Sequence, residues 1–165
     1  VNAYMNIGAL YEGEYLGSGL SHYIEQIVTG GSNHLQEKRP EGTLKWDGSH
    51  EEETKALRKS NSVNTNASTL FNITQYYITT KSEMAETAID LISGYLAHCQ
   101  FDPVEVAREQ RVVQQELLRN KDDVNRERSQ LFSATMFKEH PVRVPIIGYA
   151  SCIQDITRDD MMRLY

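Results

Sequence analysis

At 165 residues, 39% hydrophobic and 24% charged, the chain has the size of one domain that can bury a core. Its net charge of −6 would be repelled by a phosphate backbone, which argues against nucleic acid as a partner. No apolar run is long enough to span a bilayer, and no signal-peptide pattern opens the chain.

Residues 1–8 alternate, with Val1, Ala3, Met5 and Ile7 on one face, as a half-buried strand does. A glycine-containing turn from Tyr11 to Gly19 leads into a helix marked by Leu20, Ile24, Ile27 and Val28, which Gly30 and Gly31 stop. Residues 31–48 have no period and read as a loop; Ser49 and Glu52 form a capping box for a helix to about Lys59. The polar, Asn-rich stretch from Ser60 to Ser68 precedes a predicted strand from Leu70 to Thr80, rich in aromatic and β-branched residues. Ser82 is the expected cap of a helix through Ala97. Asp102, Pro103 and Glu105 occupy N-cap, N1 and N3 of another, which runs to Arg119 or beyond. Further helix reaches about Lys138, His140 to Gly148 is a loop, and Thr157 caps a last helix. Strands and helices mix without a strict βαβ rhythm, so the fold class is α+β. Cys99 and Cys152 have no metal or redox spacing and read as small half-buried thiols. The start at Val1 and a helix breaking off at Tyr165 suggest a fragment.

The chemistry concentrates in Ser21-His22-Tyr23-Ile24-Glu25-Gln26. Positions i, i+3 and i+4 share a helix face, so His22, Glu25 and Gln26 point one way. An inverted zinc-peptidase helix reads H-x-x-E-H, two histidines on the metal and the Glu as general base. Gln26 stands at the second His. Taken alone, His-x-x-Glu is more often a solvated helix face with a local hydrogen bond. Glu109 and Glu116 lie seven apart, two turns on one face of the helix that begins at Asp102, and either could be an outer charge or a third ligand.

From Tyr4 to Tyr165 the chain resembles the N-terminal domain of the pitrilysin/insulinase peptidases and mitochondrial processing peptidases. Four blocks carry the resemblance in order. They are Gly19 to Glu25, then Asn66-Ala67 with Thr69 and Tyr76-Tyr77, then Arg108-Glu109 through Val112-Val113 to Glu116, and last His140-Pro141, Pro145 to Gly148 and Ile156 to Asp160. The resemblance implies a mixed, largely antiparallel sheet covered by helices. It implies a single partial N-terminal peptidase domain over 1–165, lacking its first strands, its C-terminal end and a second homologous half. His22 would then be a zinc ligand, Glu25 the general base, Glu116 the distal ligand and Glu109 a carboxylate that orients the site. Asn66 and Ala67 would hold peptide substrate as an added edge strand. One zinc ion per domain and a second homologous domain or subunit are the implied cofactor and partner. Bacterial periplasm, cytoplasm and organelle matrix all fit.

Two departures weigh on activity. A carboxamide is a poor zinc ligand, so Gln26 implies weak or absent metal. An insertion relative to the family spacing, roughly 33–49, brings Trp46 with His34 and His50 in or beside it, and reads as a surface loop. Two functions remain: a zinc metalloendopeptidase domain for unfolded peptides with a defective second ligand, or an inactive homologue that binds peptide or scaffolds an active partner.

Overall fold

The computed structural model describes residues 1–29, 64–97, 99 and 101–165. The insertion with His34, Trp46 and His50, and the helix expected from Ser49 to Lys59, lie outside the described residues. Three antiparallel strands, β1 (Asn2–Met5), β2 (Asn64–Thr69) and β3 (Thr74–Thr79), lie in the order β1-β3-β2. Central β3 buries Thr74, Tyr76 and Ile78 on one face, the period of two that a half-covered sheet requires. Tyr76 lies opposite Ala3 on one side and Ala67 on the other. Among the described residues β2 is therefore an edge strand.

The helices are α1 (Leu20–Thr29), α2 (Ala85–Ala97), α3 (Pro103–Lys121), α4 (Val124–Met136), α5 (Ala150–Ile153) and α6 (Arg158–Leu164). Helix α1 is buried over most of its circumference. Its Leu20, Tyr23, Ile24, Ile27 and Val28 join Tyr76 and Ile78 of β3, Leu91 and Ile92 of α2, and Val113 and Leu117 of α3 in one core. Tyr23 donates its hydroxyl to Val106 O of α3 at 2.5 Å, which ties the two helices polar end to polar end. This is an α+β domain with an antiparallel sheet, as expected. Among the described residues no helix is long and apolar enough to cross a membrane.

The caps at Asp102 and Thr157 form as expected. Asp102 accepts from Val104 N and Glu105 N, and Thr157 and Asp160 make a reciprocal capping box. Three local expectations need correction. The Asn-rich segment before Leu70 supplies β2, and Leu70 to Ile73 is not strand but the turn closing the β2–β3 hairpin, with Leu70 N donating to Ile73 O at 2.8 Å. An edge strand facing solvent and a cleft carries no apolar alternation, so hydrophobicity could not mark it. Ser82 opens a 3₁₀ turn, Ser82–Met84, whose N-cap is Lys81 with no side-chain cap bond, and the α-helix begins only at Ala85. The short α5 was unforeseen because four residues carry no readable period.

The segment Gly17–Gly19 crosses Ile147–Gly148 at backbone contact. Tyr149 N donates to Gly17 O at 2.8 Å. A Cβ at Gly19 would lie 2.1 Å from Ile147 O, and one at Gly148 would lie 2.4 Å from Ser18 C; both residues have positive φ, 70° and 79°. Only glycine meets both demands. Gly19→Ala is expected to lower stability by on the order of 3 kcal/mol. Gly13→Ala, at φ 56° but in open space, should cost roughly 1 kcal/mol. Urea denaturation of both variants checks the difference, and equal losses would refute the role of the crossing.

Candidate active site

The crossing delivers the chain into α1. The first N–H groups of a helix have no partner within it. Here Ser21 N donates to Glu12 Oε1 at 2.8 Å, and Leu20 N to Ser18 Oγ at 3.2 Å. Glu12 is only 2% exposed. Burial raises its pKa to about 7, against the lowering effect of bonds from Ser21, Gly19 and Gly17. The sequence reading took Tyr11 to Gly19 as a turn and missed Glu12. An acid shortly before a helix start was the available signal, since the helix N-terminus favours negative charge.

Helix periodicity then sets His22, Glu25 and Gln26 on one side of α1. Glu25 is 5% exposed, and its Oε2 accepts the Thr69 hydroxyl at 2.6 Å. Its pKa is raised to about 7: burial raises it most, the Thr69 bond lowers it, and the Glu116 charge raises it again. His22 Nε2 lies 3.5 Å from Glu116 Oε2 and 3.5 Å from Gln26 Nε2. Burial holds the imidazole below its usual pKa. Glu116 opposes that effect and Arg126 adds to it. His22 Nδ1 is buried without a hydrogen-bond partner.

These groups open on one cleft of ≈ 1090 Å³ whose lining includes His22, Glu25, Gln26, Asn66, Ala67 and Glu116. Asn66 and Ala67 reach it from edge strand β2, where Ala67 N donates to Asn66 Oδ1 at 3.0 Å on the exposed side. Glu109 is placed elsewhere. It is buried, receives Arg108 Nε at 3.0 Å and Nη2 at 2.8 Å on Oε1, and does not line the cleft. Two helical turns separate it from Glu116, roughly 11 Å along the axis, so a shared face does not bring both acids to one point.

The fit to zinc divides by criterion. Ligands at roughly 2.0–2.2 Å around a tetrahedral ion lie roughly 3.3 Å apart. The 3.5 Å between His22 Nε2 and Glu116 Oε2 is close to that, whereas Gln26 turns its amide nitrogen, not a donor oxygen, toward His22. The donor set falls short: an imidazole, a carboxylate and a carboxamide, where a catalytic site uses three good donors. Among the described residues no three His, Cys, Asp or Glu side chains converge as a metal cluster. Among the described residues, these donors do not complete a zinc site.

Residues 1–149 match the family described as insulinase, peptidase family M16. The chain belongs to this family. It is 25% identical over 165 residues to an uncharacterized zinc protease of Rickettsia bellii, covering 99% of this chain and 36% of that protein. It thus spans about a third of the length of such curated relatives, whose names mark the family as zinc proteases. A solved protease from Helicobacter pylori has the same fold, with a TM-score of 0.80 and 23% identity over 99% of this chain and 36% of that one. So does a Pseudomonas fluorescens peptidase M16 inactive domain, with a TM-score of 0.73 and 12% identity over 98% of this chain and 36% of that one. The insulinase-type chain is a peptidase-like domain.

Glu12 allows a pH test away from the candidate ligands. A carboxyl raised to about 7 in the fold, against the ordinary 4.5 of a glutamate, keeps its proton when the unfolded chain has already lost it. Stability therefore falls between those two values as pH rises. Glu12→Gln retains an acceptor for Ser21 N and removes the titration. The variant should melt several degrees above the parent at pH 8 and level with it near pH 4. Thermal melts across that range check this, and an unchanged pH slope would refute it. Glu25, raised in the same direction, supplies the slope that remains.

Proposed function

We propose that this domain binds an extended peptide as an added strand beside β2, and that Gln26 leaves it with little or no zinc, so that it acts as a peptide-holding homologue beside a hydrolytic partner. The observation that carries the reading is the Gln26 side chain at 3.5 Å from His22 Nε2, where the motif calls for a second imidazole. The edge of β2, open among the described residues, supports peptide addition, because an edge strand offers unpaired N–H and C=O groups. The cleft beside it is large enough for several side chains. The Pseudomonas fluorescens domain, described as inactive, supports the compatibility of this fold with lost hydrolysis. The relatives' greater length supports a second homologous half or subunit beside this partial N-terminal domain.

A second reading keeps the chain as a zinc metalloendopeptidase domain with a weakened metal. Glu25 favours it. A carboxylate buried at a cost, pushed up to about 7 and facing a peptide-sized cleft, has the acidity a general base needs near neutral pH. In this reading Glu25 takes the proton from attacking water, His22 and Glu116 would hold the ion, and Asn66 and Ala67 align the peptide. The ion, when bound, would polarise the peptide carbonyl.

Zinc content per folded chain separates the readings, measured by elemental analysis on the parent and on Gln26→His. The expected outcome is substoichiometric zinc in the parent and near-equimolar zinc in the variant. Near-equimolar zinc in both would overturn the peptide-holding reading. Zinc in neither folded protein would overturn the assignment of His22 and Glu116 as ligands.

A further inference from the structure

The peptide-binding reading above, on which this inference rests, leaves open which peptides the cleft accepts. One turn beyond Glu116 on α3 stands Asn120, followed by Lys121 at the end of that helix. Arg126 stands in the first turn of α4. All three line the cleft. They bring two cations and an amide, and the Asn120 Nδ2 donor is buried with no hydrogen-bond partner among the described residues. Lys121 is exposed and forms no ion pair among the described residues. Among the described residues Arg126 has an i,i+3 pair with Asp123 at 3.6 Å and no other, with both side chains well exposed, and such pairs hold a guanidinium weakly.

The acids of the same cleft are otherwise engaged. Glu25 accepts from Thr69 and Glu116 faces His22. That leaves Glu127, beside Arg126 on α4 and also on the cleft wall, as the charge that opposes this corner. An unsatisfied buried amide donor next to two loosely held cations favours a ligand that supplies acceptor oxygens and negative charge. A single helical turn is roughly 5.4 Å, and an extended peptide advances roughly 3.3 Å per residue. About two peptide residues therefore span the interval from Glu116 to this corner.

We propose that the corner formed by Asn120, Lys121 and Arg126 is a carboxylate subsite, which makes the cleft selective for peptides that present an acidic side chain or a free C-terminus close to the segment lying against α1. The cations set the sign of the preference, and the Asn120 amide gives it a direction.

The test is fluorescence anisotropy with the full chain and short unstructured labelled peptides at low salt. One pair has an amidated C-terminus and a single Glu or its Gln counterpart. A second pair lacks acidic residues and differs only in a free or amidated C-terminus. The expected result is roughly tenfold tighter binding for the carboxylate member of at least one pair, and which pair shows it identifies the source of the carboxylate. The preference should shrink in Lys121→Ala/Arg126→Ala and grow in Glu127→Gln. These exposed positions should leave the melting temperature unchanged. Binding of all four peptides with equal affinity would overturn the carboxylate subsite and leave the edge-strand reading standing. Binding of none of them by the folded chain would overturn both.

Discussion

The crossing of Gly17–Gly19 over Ile147–Gly148 positions the start of α1, and the candidate site hangs from that start. Two segments far apart in the chain meet with backbone against backbone, and any side chain at Gly19 or Gly148 would occupy space already held by peptide atoms. Glu12 and Ser18 then accept the helix's first free N–H groups, so the entry of α1 is held both sterically and by hydrogen bonds. His22 follows within the first turn and Glu25 one turn later. Their positions are as firm as the crossing that precedes them.

Two buried carboxyls serve this helix in different ways. Glu12 faces backbone donors at the start of α1 and acts as an anchor. Glu25 faces the cleft and is held by Thr69 at the end of β2. Both are pushed up to about 7, mainly by burial. Each lowers the stability of the neutral-pH fold relative to a neutral isostere. The Thr69 bond also joins the end of β2 to α1.

The α+β class, the core stripe of α1, the caps at Asp102 and Thr157 and the common face of His22, Glu25 and Gln26 were legible in the sequence. Each depends on contacts within about one helical turn, which local spacing encodes. β2 was not legible from hydrophobicity because its residues face a cleft and solvent, and the four blocks of resemblance located that segment instead. Glu109 shows the limit of periodicity. It shares a face with Glu116, yet it is buried against Arg108 while Glu116 lies by His22.

The sequence by itself determined that a carboxamide, not an imidazole, stands one residue after Glu25. Residue identity and helical spacing need no tertiary information. Only the tertiary structure decided which distant groups meet there: Glu116 beside His22, Thr69 on Glu25, Glu12 at the start of the helix, and Arg126 of α4 on the same cleft as Asn120 and Lys121. These meetings depend on how α3, α4 and β2 cross α1. Core packing across the whole chain sets those crossings, and no short window of sequence contains it.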